Sequence, residues 1–184
     1  MQKQNRTVYF LCQSALIAAA YAVLTLAAAA LGWAYGPIQF RFSEALTVLP
    51  ALTPAAVPGL AVGCFLANLG SPLGPVDWIF GTLATLLAAL WSRSLRHIKV
   101  RGVPVLAPLP PIICNAVIIG LEIACLGDSG FSMSGFSMAA FLPNALYVGL
   151  GELVICYGLG LPLLYILEHV LQKNSHLKTL FPQN

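Results

Sequence analysis

From Thr7 to Gly36 no side chain carries a charge, and a run of that length has no place on the surface of a soluble fold. A hydrocarbon-spanning helix needs ~20 mostly apolar residues, so the run predicts a first membrane span at residues 7–31. It follows a short polar start with Lys3 and Arg6, as the apolar core of a signal peptide does, and Ala27-Ala28-Ala29 imitates a cleavage site. A signal peptide's apolar core is only ~7–15 residues long, so the segment reads as a retained span. The rest of the chain is of the same kind. Hydrophobic residues make up 59% of the 184 positions and charged residues 8%, against about 25% charged in soluble domains. The length holds about six spans with short connections, one integral domain over residues 1–184 lying within a lipid bilayer.

The placement of positive charge sets the expected orientation. Eight of the nine basic residues fall in three clusters, Lys3 with Arg6, Arg93 to Arg101, and Lys173 with Lys178; Arg41 stands apart. Cytoplasmic loops carry the Lys/Arg excess. Both termini and residues 93–101 are therefore expected in the cytoplasm, with an even number of spans between clusters. That requirement decides residues 43–69, where Pro50, Pro54 and Pro58 either kink one span or break it. Two short helices, 43–52 and 55–69, satisfy the charge rule; the others are expected at 77–92, 105–126 and 143–171. At 1.5 Å per residue the short pair reach only ~15 and ~22 Å, less than the ~30 Å of hydrocarbon. The aromatic connection 32–42 is expected to fill the gap as a lid-like loop over an outward pocket, because irregular backbone at membrane depth must be buried or line a cavity. Pro108, Pro110 and Pro111 lie near the start of the fifth helix, Pro143 suits the first turn of the sixth, and Pro162 should kink it.

Ionisable groups inside a span face a cavity, a partner or a water path. Glu168 falls at the cytoplasmic edge. Arg41 and Glu44, three apart, either pair on a helical turn or meet a ligand. Asn115 and Glu122 share a face of the fifth helix; Asn144, Tyr147, Gly151 and Glu152 occupy one sector of the sixth. If these faces converge they form a ligand site or a buried structural network, the amide offering donors and an acceptor to the carboxyl groups. Asp77 either caps its helix or contacts ligand. Trp33, Tyr35 and Trp78 either stack on a flat ring or anchor at the interface. Ala15, Ala18, Ala19 and Ala22, continuing to Thr25 and Ala29, form a small-residue stripe for packing within the bundle or docking on another membrane subunit. The five cysteines stand singly among apolar residues and read as packing residues.

Motifs for zinc hydrolysis, the serine elbow, the phosphate loop and the calcium loop are missing from the sequence. His97, His169 and His176 lie by the expected cytoplasmic edge, away from the acids. No catalytic group, metal site or cofactor is expected in this chain, and no basic tract suggests nucleic acid. Two other classes stay open: a self-sufficient transporter or exporter of another aromatic metabolite, and an embedded enzyme using Glu152 and Glu122 as acid and base.

The stretch Tyr35-Gly-Pro-Ile-Gln-Phe-Arg-Phe-Ser-Glu-Ala-Leu-Thr-Val-Leu-Pro50, continuing through Thr53-Pro-Ala-Ala-Val-Pro-Gly59 and Gly63-Cys-Phe-Leu-Ala-Asn-Leu69, resembles the QueT family. Pro143-Asn-Ala-Leu-Tyr-Val-Gly-Leu-Gly-Glu152 resembles the family's last helix. These proteins are substrate-binding S components of energy-coupling-factor (ECF) transporters assigned to queuosine precursors. The resemblance implies an all-α, six-transmembrane-helix bundle of the ECF S-component type in the cell membrane, with an outer cavity capped by the loop between the first two helices. It implies a 7-deazaguanine ligand such as queuine, preQ1 or preQ0, a transmembrane coupling subunit, and two ATPase subunits that use the ATP. It also implies an AxxxA docking pattern, matched by Ala15 and Ala19 or by Ala18 and Ala22. In that frame Glu152 and Asn144 are expected to read the guanine-like edge. Glu122 or Asp77 would meet a cationic aminomethyl arm, and an aromatic of 32–42, the segment that also holds Gln39, would cover the ring. Residues 127–137 match no part of the pattern.

Overall fold

The structure, a computed structural model, describes residues 2–34, 40–127 and 130–173. Helix α1 (Gln2–Ala30) runs unbroken because no proline or glycine interrupts it. It stops at Gly32, whose φ of +76° lets Trp33 N–H turn back to the Ala28 carbonyl at 2.9 Å. Next comes a 3-10 helix, Phe42–Ala51, with Pro50 in its last turn. Then follow α2 (Ala56–Asn68), α3 (Pro75–Ser94) and α4 (Leu109–Ala124). The chain ends in α5 (Met138–Ile155), a π-helical turn (Cys156–Gly160) and α6 (Leu161–Lys173).

Among the described residues, three helical stretches are long and apolar enough to cross a membrane: Arg6–Ala30, Pro75–His97 and Met138–Lys173. Helices α2 and α4 are apolar but shorter. At ~2.0 Å per residue the 3-10 helix is ~20 Å long, and α2, at 1.5 Å per residue, is also ~20 Å. The chain thus enters on one short element and returns on another. The long helices and α2 and α4 pack in sequence order, α1 on α2, α2 on α3, α3 on α4, α4 on α5, while the 3-10 helix lies among them touching α1, α2, α3, α5, the π turn and α6.

Proline placement explains where the observed helices begin. Helix α4 starts at Leu109, later than the expected 105, because Pro110 and Pro111 are tolerated only in a first turn. Helix α5 starts at Met138, which puts Pro143 inside the helix instead of in its first turn. The π turn lies just before Pro162, where a proline cannot supply the N–H that an α-helix would direct to Gly158, and its wider ring absorbs the mismatch. Between α4 and α5, Leu126–Gly127 (β1) pairs antiparallel with Gly130–Phe131 (β2). This small hairpin is the one ladder between named strands among the described residues.

One end of the bundle is basic. Lys99 Nζ pairs with the buried Glu168 at 2.7 Å, tying the segment after α3 to α6, and Arg93 donates to the Pro50 carbonyl at 3.1 Å. Arg101 and Gly102, at φ +51° and +85°, make the tight turn that lets Val100 and Val103 exchange backbone hydrogen bonds.

Close approach of helices depends on glycine. A Cβ on Gly63 would lie 2.7 Å from the Ala18 carbonyl, one on Gly59 would lie 2.8 Å from that of Ser14, and one on Gly120 would meet the Ala145 Cα at 2.9 Å. The Gly59-xxx-Gly63 pair is a small-residue contact face that the sequence reading passed over in favour of α1. Gly63→Ala or Gly120→Ala should each lower stability by about 1–3 kcal/mol, the usual range for overpacking. Unfolding in mixed detergent would measure this, with Gly127→Ala, whose Cβ would meet nothing within 4 Å, as the neutral control.

Candidate ligand-binding site

The 3-10 helix carries Ser43, Glu44 and Thr47 into the middle of the bundle, all three buried. Burying polar atoms is tolerable only when each finds a partner, and here the partners come from α1, α4 and the π turn. Tyr21 of α1 donates its hydroxyl to Glu44 Oε1. Asn115 of α4 lies between two acids, donating Nδ2 to Glu152 Oε1 at 2.8 Å and, more weakly, to Glu44 Oε2 at 3.5 Å. Cys156, at the first position of the π turn, donates to Glu152 Oε2 at 3.4 Å. Above this layer Thr25 Oγ1 donates to Ser43 Oγ at 2.7 Å.

A second group centres on Arg41, immediately before the 3-10 helix and 7% exposed. Its Nη2 is 3.6 Å from Asp77 Oδ2, its Nη1 donates to Asn68 Oδ1 at 3.3 Å, and its Nε donates to the Ala34 carbonyl at 3.2 Å. Asn68 completes the group by donating to the Asp77 carbonyl at 3.1 Å. Gly81 leaves the room for it: a Cβ there would collide with Asn68 Nδ2 and lie 3.1 Å from Asp77 Oδ1. The two groups adjoin through the start of the 3-10 helix, where the Glu44 backbone N–H donates to the Arg41 carbonyl at 3.0 Å.

Glu122, 0% exposed, is the odd member, since neither of its carboxyl oxygens has a hydrogen-bond partner. It stands seven residues, two helical turns, beyond Asn115 on α4, on the same face and ~10 Å farther from the basic end. At that far end a cleft of about 480 Å³ is lined by Gly32, Trp33, Phe40 and Phe42. Trp33 and Phe42 meet edge to face at 5.8 Å. A groove of about 280 Å³ near the basic end, between α1, the end of the 3-10 helix and α6, is walled mainly by Leu16, Ile17, Leu49, Leu52 and Leu171, and offers little to a polar ligand.

The structure sorts the sequence candidates. Asn115 and Glu152 converge, with Glu44 beside them. Arg41 pairs with Asp77, and the Glu44 backbone N–H donates to the Arg41 carbonyl at 3.0 Å. Asp77 makes no cap: the N-cap of α3 is Gly74. Asn144 donates within its own helix to the Ala140 carbonyl at 2.8 Å. Its Cα lies ~12 Å along the axis from that of Glu152, eight residues on. Tyr147 is 45% exposed on the outside of α5. Trp78 packs edge to face on Phe65 at 6.3 Å, with its indole N–H unpaired. Tyr35 and Gln39 lie outside the described residues. In the α1 stripe Ala18 is buried against Gly63, whereas Ala15 and Ala19 are exposed and Ala22 is half-buried.

Sequence reasoning missed Tyr21, Asn68 and Cys156. For Tyr21 and Thr25 a signal was present: two polar groups four apart on the otherwise apolar stretch 15–31, hence on one face.

A family model described as the QueT transporter matches residues 11–169. Among curated proteins, the queuosine precursor transporter QueT of Lactococcus lactis subsp. cremoris (strain MG1363) is 35% identical over 85 residues, which is 46% of this chain and 49% of that relative. The chain therefore spans about half the length of the curated relative it matches. No solved structure matches it.

Proposed function

This chain belongs to the QueT transporter family and is a multi-pass membrane protein, and on that premise we propose that it captures a queuosine precursor as the S component of an ECF-type importer. The curated relative is named for queuosine precursors. The observation that carries the reading on the chain's own residues is the Glu44–Asn115–Glu152 group, buried within the bundle. A guanine-like edge presents a ring N–H and an exocyclic amine beside a carbonyl. Two carboxyl groups and an amide, which supplies both donor and acceptor, complement that edge. Asn115, and not Asn144, takes the amide role, because Asn115 is the one beside Glu152. The aromatic cleft of Trp33, Phe40 and Phe42 suits the flat ring, where offset or edge contacts are favourable.

The same reading supplies orientation and partners. The basic end faces the cytoplasm and the aromatic cleft faces outside. The exposed Ala15 and Ala19 of α1 give a coupling subunit close approach, and two ATPase subunits hydrolyse the ATP. The chain itself performs no covalent chemistry.

Purified chain should bind queuine, preQ1 or preQ0 in a calorimetric titration without ATP, and Glu152→Gln should weaken binding at least tenfold, about 1.4 kcal/mol. No binding of any of the three by folded protein would remove the ligand assignment. Co-purification with an ATPase pair supports the S-component role; net uptake by the chain alone in liposomes would instead favour a self-sufficient transporter.

A further inference from the structure

Resting on that reading of the site, we infer that Glu122 is a cation subsite which selects deazaguanine bases carrying a protonated amine on their side arm over those with a neutral arm. Two independent observations converge on it. The first is charge: Asp77, Glu44, Glu122 and Glu152 are all buried, and Arg41 is the one buried basic residue among the described residues. The second is the state of Glu122 itself, 0% exposed with both oxygens lacking a donor, whereas Glu44 and Glu152 each accept hydrogen bonds and Asp77 faces Arg41. A buried carboxyl group without donors is unfavourable, so Glu122 is not explained by stability. A ligand that brings N–H donors and positive charge supplies both missing components.

Geometry makes the ligand's arm the natural source. With the pyrimidine edge of the base at Asn115 and Glu152, its five-membered ring points along α4 toward the cleft end, and Glu122 stands two turns along that face, ~10 Å away. A bicyclic base with a one-carbon arm bridges a comparable distance. A metal ion is a poorer occupant, since no group of three or more His, Cys, Asp or Glu side chains that could hold one is found among the described residues.

The test compares two bases with the same ring, 7-aminomethyl-7-deazaguanine and 7-cyano-7-deazaguanine, on purified wild-type chain and on Glu122→Gln. A charge-assisted hydrogen bond is strong enough to give a tenfold or greater preference. Wild type should therefore bind the aminomethyl base at least tenfold tighter, and Glu122→Gln should abolish that preference. Equal affinities in wild type, or an equal loss for both bases in the variant, overturns the inference. A second measurement needs no ligand. If Glu122 is held for the ligand, Glu122→Leu should raise the melting temperature of the empty protein. A fall would show a structural partner and overturn the inference. If neither base binds wild type, the queuosine-precursor reading fails, and the melting shift still decides whether Glu122 is kept at the expense of stability.

Discussion

Arg41→Met should destabilise the protein by about 3–5 kcal/mol, the range for removing one partner of a buried ion pair, and should abolish ligand binding. The guanidinium faces Asp77 at 3.6 Å and donates to Asn68 and to the Ala34 carbonyl. Its removal leaves Asp77 without a counter-charge and takes from Asn68 the donor to its carbonyl. Arg41→Lys should rescue little, because a single ammonium cannot fork among three acceptors on different elements. The double change Arg41→Met with Asp77→Leu should recover part of the loss, since removing both members of a buried pair is less harmful than removing one. Melting temperature and the monodisperse fraction in detergent report the effect. A stable Arg41→Met protein with intact binding would show that the Arg41 group contributes little.

Asn115→Leu should have the next largest effect. The side chain is close to isosteric, so packing on α4 is retained while one amide is lost. That amide is the donor to Glu152 Oε1 at 2.8 Å and the weaker one to Glu44 Oε2 at 3.5 Å. Each buried acceptor stripped of its donor costs about 1–3 kcal/mol, so a loss of roughly 3 kcal/mol is expected, together with loss of binding to any deazaguanine base. Asn115→Asp should be worse, since it sets a third acid between two others. Combining Asn115→Leu with Glu152→Leu should restore stability but not binding. That divergence marks the group as a site rather than a structural network; parallel recovery of both would contradict it.

These outcomes depend on pairings the sequence could not specify. Arg41 and Glu44 have the spacing of a helical ion pair, yet Arg41 sits at φ −92°, ψ +103°, extended and just before the 3-10 helix. Its side chain consequently leaves the Glu44 face and reaches α3. Asn144 and Glu152 share a broad sector on a helical wheel, but a wheel discards the ~12 Å of axial rise between them. In the α1 stripe the sequence shows small residues without showing which of them face α2, and Gly59 and Gly63 are what divide Ala18 from Ala15 and Ala19.

The order of residues is enough to place the chain in a membrane, because too few charges remain to make a wetted surface, and to interrupt the second apolar stretch at Pro50 and Pro54, because proline supplies no backbone donor. It also confined the basic residues, Arg41 aside, to the helix ends, and it singled out every acid that the bundle buries. Packing assigned the other acids their partners and left both carboxyl oxygens of Glu122 without a hydrogen-bond donor. Hydrogen bonds act over about 3 Å, and residues as far apart in the chain as Asn115 and Glu152 come within that range only after the helices that carry them have packed.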